Sequence, residues 1–449
     1  MLFKRLLIAN RGEIAIRVMR TCRELDIETV AVYVPEDRDS LYVKYADTAV
    51  PLRGDTIEDT YLNVAQLAGI VGSARCDAVH PGYGFLSENA AFAAAVEAAG
   101  AAFVGPGAAV MQEIADKGLL VRRMRDAGVP VAPSMEYTGD MTALRAFARH
   151  AGYPLLVKPA FGGGGKGMKA VAAEQDLEKA VAFAQRIGKT AFGSAALYVE
   201  KFIANPQHIE VQVLGDARGH LVVLGERDCS IQRRHQKLVE ETPSPALDPL
   251  ARARVHALAL DTARILNYSS AGTFEFLHLD GQFYFLEINA RIQVEHPVTE
   301  MATGLDLVKE QIRIAAGGCV PDTFAPRGHA MECRVNAEDP FRNFFPSPGT
   351  ISEWREPGGP FVRVDAGVAA GSVVSPSFDS LLAKVCVWGR DRTEAAARMR
   401  RALDEFCVEG LATTLPALRA IFRDQVFLAG GVDTSYMDTR FRQILAPET

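Results

Sequence analysis

A chain of 449 residues is long enough for two to four domains with large buried cores. Charged residues at 23% and hydrophobic residues at 48% are ordinary for a globular protein, and a net charge of −6 argues against a general nucleic-acid or membrane binder. A local basic pocket stays compatible with that balance. Seven scattered cysteines, never spaced as CxxC, suit reduced thiols and not a disulfide frame or a zinc site. The opening MLFKRLLIANRGE carries only Leu6 to Ala9 as an apolar run, too short for a signal peptide. No stretch approaches membrane-spanning length, so a cytoplasmic protein is expected.

Residues 1 to about 113 alternate short apolar runs with helical patterns. Leu6–Ala9 reads as a strand, Glu13–Leu25 as a helix with Ile14, Val18 and Leu25 on its apolar stripe, and Thr29–Val34 as a strand. Helical Leu62–Val71, strand Asp77–His80, helical Glu88–Ala99 and strand Ala102–Val104 follow. Such alternation predicts a parallel, Rossmann-like sheet. The first strand leads into Asn10-Arg-Gly-Glu and not into GxGxxG, so nothing supports a dinucleotide cofactor. A second unit is expected over 114–317, with a small subdomain at about 131–203, and a third, mixed α/β unit over 330–445 after a Pro321–Pro326 connector. Helical Thr393–Phe406 lies in that last unit.

Within the subdomain, Leu155–Lys158 reads as a strand, Gly162–Gly165 as a loop and Lys169–Ala172 as a return strand. Glycine lets several backbone N–H groups approach phosphate oxygens, and Lys158 and Lys166 add positive charge. The plain alternative is a flexible hairpin tip. This is not a Walker A loop, because Gly167 and not Ser or Thr follows Lys166. Further on, Arg227, Arg233, Arg234, His235 and Lys237 fall within eleven residues. Alone such a run is most often a solvated face. Beside a metal–phosphate site it reads better as a small-anion pocket, and it lacks the aromatics of a single-strand binder.

The segment 271–289 reads as a hairpin turning at Asp280-Gly281. A two-residue turn would pair 279 with 282 and place Glu275 and Glu287 on opposite faces. A three-residue loop pairs 278 with 282, makes the glutamates diagonal neighbours, and leaves Phe274, Phe276, Tyr284, Leu286 and Ile288 as the core face. The three-residue loop is the expectation. Two adjacent carboxylates with Asn289 beside them favour Mg2+ among phosphates, or Mn2+ in its place. From Glu287 to Glu295 every second residue is polar: Glu287, Asn289, Arg291, Gln293 and Glu295. Fully stretched these span roughly 26 Å, too far for one small site. The line must bend or serve two neighbouring sites.

Taken together, IANRGEIAIR (8–17), HPGYGFLSEN (80–89), GGGGKGM (162–168), ERDCSIQRRHQK (226–237), AGTFEFL (271–277), EINARIQVEHPVTE (287–300) and GHAMECRVNAEDP (328–340) resemble the biotin carboxylase family of the ATP-grasp superfamily. The resemblance covers nearly the whole chain. It implies an N-terminal Rossmann-like domain, a central ATP-grasp domain with a glycine-loop lid, and a C-terminal mixed α/β domain that completes the site. By position, Lys117, Lys158, Gly163, Gly164, Gly165, Lys166, Glu200 and His208 resemble nucleotide-binding residues, with Gln232 and His235 close by. Glu275, Glu287 and Asn289 correspond to the Mg2+ ligands. Lys237, Arg291, Gln293 and Val294 match the bicarbonate pocket, Glu295 its base, Arg334 the arginine that stabilises the biotin enolate, and Tyr83 a residue near the ureido ring. Arg20 and Arg363 match homodimer positions. Pro159 and Phe161 depart from the family around the loop, and Pro360 stands where relatives can have an aromatic near the dimer surface.

The implied reaction joins ATP, bicarbonate and biotin. A biotinyl lysine usually sits in a Met-Lys-Met turn, and the sole near match, Met168-Lys169-Ala170, is better explained by the loop. Biotin is therefore expected on a carrier protein or domain in trans, and a carboxyltransferase subunit is the further partner expected. Glu295 is an awkward base, since Arg291 and Lys237 should lower its pKa while desolvation should raise it. Two alternatives stand beside this reading. A different ATP-grasp ligase forming an acyl phosphate would not need Arg291, Gln293, Glu295 and Arg334 together, and a non-catalytic nucleotide-binding protein should have lost a metal ligand, the base or a loop lysine, none of which is lost here.

Overall fold

The computed structural model describes residues 2–160, 167–320 and 324–445. The N-terminal unit is a five-stranded parallel sheet of β1 (Arg5–Ile8), β2 (Glu28–Tyr33), β3 (Thr48–Pro51), β4 (Ala78–His80) and β5 (Ala102–Phe103), in the order β3-β2-β1-β4-β5. The unbroken apolar run of β1 is what a strand covered on both faces requires. Leu6 and Ile8 join a core with Ile14 and Val18, while Leu7 and Ala9 join another with Leu67 and Phe92. The predicted elements appear within one or two residues of their expected ends. The short edge strand β3, with no fully buried residue, has no apolar run to betray it in the sequence.

His80, at the end of β4, is fully buried, and its Nδ1 accepts the Gly82 N–H at 3.0 Å. Its Nε2 lies 3.3 Å from Gln311 Oε1, so the neutral ring carries its proton on Nε2. Burial brings its pKa down to about 4. A histidine that binds its proton less readily when folded costs stability as pH falls below its unfolded value of 6.5, and the loss is complete near the folded value. We expect His80 to remove about 2 kcal/mol between pH 7 and pH 5. Urea unfolding of wild type and His80→Asn at the two pH values checks this. An equal pH effect in both would refute it.

Residues 134–201 build a separate antiparallel sheet of β6 (Ser134–Tyr137), β7 (Leu155–Pro159), β8 (Lys169–Val171) and β9 (Leu197–Lys201), ordered β6-β9-β7-β8. It has its own small core around Leu144, Val157, Leu177 and Val199. Gly163, Gly164, Gly165 and Lys166 of the expected phosphate loop, and Phe161 before it, lie outside the described residues.

The rest is organised on one eight-stranded antiparallel sheet. It comprises β10 (Gln207–Gly215), β11 (Leu221–Arg233), β12 (Gln236–Thr242), β13 (Ser270–Leu279), β14 (Gln282–Asn289), β15 (His329–Asn336), β16 (Val362–Ala366) and β17 (Leu381–Gly389). The order is β14-β13-β10-β11-β12-β15-β17-β16. β12 pairs directly with β15, so the sheet continues past the 321–326 connector without a break.

The hairpin differs from the expected one. Leu279 pairs with Gln282 across a two-residue turn, with Asp280 at φ +49 and Gly281 at φ +73. Two successive left-handed residues match the twist of the flanking strands, which is why Asp-Gly favours this turn. The glutamates still share a face, because the register shifts between the Phe276–Phe285 and Glu275–Glu287 pairs. That bulge at Leu286 inserts one residue and reverses the phase of the strand. Phe283 and Phe285, and not Tyr284 and Leu286, therefore join Phe274, Phe276 and Ile288 in the core.

Candidate active site

Direct cross-strand partners stand on the same face of a sheet. The register therefore lines up Glu287, Glu275, Glu210 and Arg227 in a row across four adjacent strands. A second row joins Asn289, Thr273 and Gln212. Three carboxylates side by side are tolerable only with cations between them. Arg227, fully buried, is bonded to Glu210, Gln212, Thr273 and Thr299. Lys237 reaches Glu210, Glu275 at 3.0 Å and Glu295 at 2.6 Å, and Lys117 reaches Glu287 at 2.9 Å.

The alternating run bends. β14 ends at Asn289, and a turn leads to the helix His296–Thr303, with Glu295 at its N-cap position. Arg291 folds back onto its neighbours, donating to Asn289 Oδ1 at 2.9 Å and Gln293 Oε1 at 3.1 Å while Nε holds Glu88 at 3.0 Å. Asn289 Nδ2 donates to Glu275 Oε1 at 2.7 Å, and Gln293 Nε2 lies 3.4 Å from the same oxygen. Polar groups that a straight strand would scatter are gathered around Glu275.

Glu295 is fully buried between Lys237 and Arg334, whose Nη2 donates to it at 2.8 Å. Burial pushes its carboxyl up, but Lys237, Arg334 and Arg227 together outweigh burial and hold it well below the usual carboxylate range. Glu275 follows the same pattern, with Lys237 and His208 overcoming burial. Lys237 is pulled the other way, well above an ordinary lysine, because Glu210, Glu275 and Glu295 outweigh its desolvation. Arg334 is fixed from behind by Glu240 at 2.6 Å, and burial pushes that carboxyl up to about 7.

His208 lies 2.7 Å from Glu275, and Gln232 lies 3.3 Å from the other ring nitrogen. Lys158 pairs with Glu200 at 2.7 Å on the smaller sheet. The Tyr83 hydroxyl donates to Glu13, and the Val294 carbonyl accepts from Lys384 at 3.0 Å. The basic run does not act as one patch. Arg227 ends the acidic row, Lys237 lies in the site, Arg233 binds Asn343, and Arg234 and His235 are exposed at a hairpin tip. His235 makes no hydrogen bond to the gathered groups among the described residues.

Glu275 and Glu287 are direct cross-strand partners that each already hold an ammonium group, and the Asn289 oxygen, bonded to Arg291, is a further oxygen donor on the next row. That is the charge demand a divalent cation meets, so these residues fit Mg2+, and Mn2+ by the same donors. His208, Glu210 and Glu275 also present donor atoms within 4.8 Å of one another. Lys237 is bonded to both of those carboxylates.

Sequence reasoning missed Glu88, Glu210, Glu240, Glu13 and Lys384. Glu210 had a signal, since His208, Glu210 and Gln212 alternate with apolar residues along β10.

Three family models cover the chain in succession: biotin carboxylase N-terminal domain at residues 2–111, the carbamoyl-phosphate synthase L chain ATP-binding domain at 116–322, and biotin carboxylase C-terminal domain at 332–439. The biotin carboxylase of Pseudomonas aeruginosa is 45% identical over 444 residues, 98% of this chain and 99% of that one. Biotin carboxylase 1 of Bacillus subtilis is 45% identical over 444 residues, again 98% of this chain and 99% of that one. The biotin carboxylase domain dimer of Hydrogenobacter thermophilus 2-oxoglutarate carboxylase, solved with MgADP, ADP and bicarbonate, superposes with a TM-score of 0.95 at 43% identity, covering 99% of each chain. With such coverage added to the geometry, the chain belongs to the biotin carboxylase family.

Proposed function

We propose that this chain is an ADP-forming ligase that carboxylates biotin with bicarbonate at the expense of ATP, the first half-reaction of a biotin-dependent carboxylase. The observation that carries it is the buried Glu295 held between Lys237 at 2.6 Å on one oxygen and Arg334 at 2.8 Å on the other. An acyl-phosphate ligase of another kind has no need of that trio.

Lys237, Arg291 and Gln293 supply the donors that would orient bicarbonate beside Glu295. Glu295 takes the bicarbonate proton as the bicarbonate oxygen attacks the γ-phosphorus and ADP leaves. Carboxyphosphate then divides into CO2 and phosphate, phosphate removes the ureido N–H proton, and the ureido nitrogen bonds to CO2. Arg334, fixed by Glu240, stabilises the enolate oxygen with a planar, permanently charged donor. Mg2+ held by Glu275 and Glu287, with Asn289, supplies neutralisation of phosphate charge. Lys117, Lys158, Glu200, His208, Gln232 and His235 are assigned to the nucleotide, with Gly163, Gly164, Gly165 and Lys166 as its covering loop.

The separate small core of the 134–201 body supports its reading as a lid within an ATP-grasp domain over 114–317, between units at 1–113 and 330–445. Biotin arrives on a carrier protein or domain, and a carboxyltransferase subunit consumes the carboxybiotin in the cytoplasm. Among the described residues no helix is long and apolar enough to cross a membrane. The dimeric H. thermophilus neighbour supports a homodimer, with Arg20 and Arg363, both paired with Asp365, at its interface. The test is ADP release with ATP and Mg2+, adding bicarbonate and free biotin singly and together. Stimulation that needs both is expected. Turnover indifferent to biotin would move the assignment to another ATP-grasp ligase.

A further inference from the structure

Lys384 lies in β17, in the apolar sequence Leu381-Leu-Ala-Lys-Val-Cys-Val, and its side chain is 0% exposed. Its Cα partners are Arg334 on one neighbouring strand and Asp365 on the other. The ammonium group donates to the Val294 carbonyl at 3.0 Å and lies 3.2 Å from Glu13 Oε1 and 4.0 Å from Asp365. The same Glu13 oxygen accepts the Tyr83 hydroxyl. Tyr83 is also held by its backbone, because Asn10 Nδ2 donates to its carbonyl at 2.7 Å.

Stability does not account for this arrangement. A buried ion pair seldom outperforms packed apolar side chains. This one also leaves Glu13 Oε2 and Glu332 Oε1 buried without a hydrogen-bond partner among the described residues. What it gains is placement. The Val294 carbonyl belongs to the peptide that joins Val294 to Glu295, so the lysine fixes the backbone from which the base projects. Through Glu13 it fixes the phenol assigned to the acceptor ring.

We propose that Lys384 is a positioning residue that couples the two substrate pockets, holding the Val294 carbonyl on the bicarbonate side and, through Glu13, the Tyr83 hydroxyl on the biotin side. The inference rests on the biotin carboxylase reading of the site. It divides the roles of two buried groups, since Lys384 serves both pockets and Glu13 only the second.

The test uses the full-length chain as wild type, Lys384→Met and Glu13→Gln. For each, KM for bicarbonate is measured at saturating biotin, KM for free biotin at saturating bicarbonate, and MgADP affinity by equilibrium binding. Lys384→Met is expected to raise both KM values about tenfold, the effect of one lost hydrogen bond to a charged group, with MgADP affinity unchanged. Glu13→Gln is expected to raise KM for biotin alone. A merely structural role would lower MgADP affinity along with the rest, or leave both KM values untouched; either result overturns the proposal. If Lys384→Met does not fold, Glu13→Gln decides. A rise confined to biotin supports the coupling, and a rise in both or in neither overturns it. Wild type lacking any requirement for bicarbonate and biotin would instead remove the functional reading itself.

Discussion

Exchange of Glu295 for Gln is expected to lower bicarbonate-dependent ADP release by about 10²- to 10⁴-fold, the usual worth of a positioned proton acceptor. Gln keeps the size of the side chain and one oxygen to accept from Lys237 or Arg334, but its amide nitrogen cannot accept from the other and it cannot carry away a proton. The fold should tolerate the change, because Lys237 retains Glu210 and Glu275 and Arg334 retains Glu240. A carboxylate held so far below its ordinary range is a weak base by itself. The same positive field answers this, since Lys237, Arg291 and Arg334 would also acidify a bicarbonate hydroxyl placed among them. Donor and acceptor shift together, and proximity decides the transfer. The comparison is ADP release with and without bicarbonate in both proteins, together with MgADP binding. Near-normal bicarbonate stimulation in the variant would reject Glu295 as the base.

Much of this site was legible because its residues are periodic. The polar alternation from Glu287 to Glu295 named five groups, and its extended length called for a bend or for two neighbouring sites; the strand ends at Asn289 and the run bends. The alternation of His208, Glu210 and Gln212 on β10 carried equal information and would have identified Glu210. The hairpin shows where pattern reasoning fails. Asp280-Gly281 pointed to a two-residue turn, which is what forms, but with an unbroken ladder that turn separates the two glutamates. The bulge at Leu286 reconciles them. A bulge is set by packing of Phe283 and Phe285 into the core, and no local signal announces it. Glu13, Glu88 and Lys384 reach the site from distant parts of the chain, and contacts of that kind emerge only when the units assemble. Even so, a single lysine within the apolar strand 381–387 signalled a buried charge in need of partners.

Removing the central cation should have the largest structural cost. Lys237→Met is expected to abolish ADP release and to destabilise the protein by about 3–5 kcal/mol, the cost of leaving buried charges without their partner. Glu210, Glu275 and Glu295 all lose a contact, whereas Arg227 and Arg334 can neutralise only two of the three. The third, Glu275, then depends on a proton held between it and His208, or repels its neighbours. A carboxyl whose folded pKa rises above its unfolded value binds more protons in the folded state, so its penalty shrinks as pH falls through the folded pKa toward the unfolded value. The stability deficit of Lys237→Met relative to wild type should therefore be smaller at pH 6 than at pH 8, measured by urea unfolding at both. A deficit independent of pH would mean that the lysine serves as packing and not as the counter-charge of the acidic row. Mg2+ adds a second readout, because Glu275 freed from the ammonium group is left with His208 and Asn289 as its close partners. Titration of the variant with Mg2+ in the absence of nucleotide should then raise its melting temperature more than that of wild type. Equal shifts would show that Lys237 and the metal do not compete for Glu275, and that the cross-strand glutamate pair is not where the divalent ion binds.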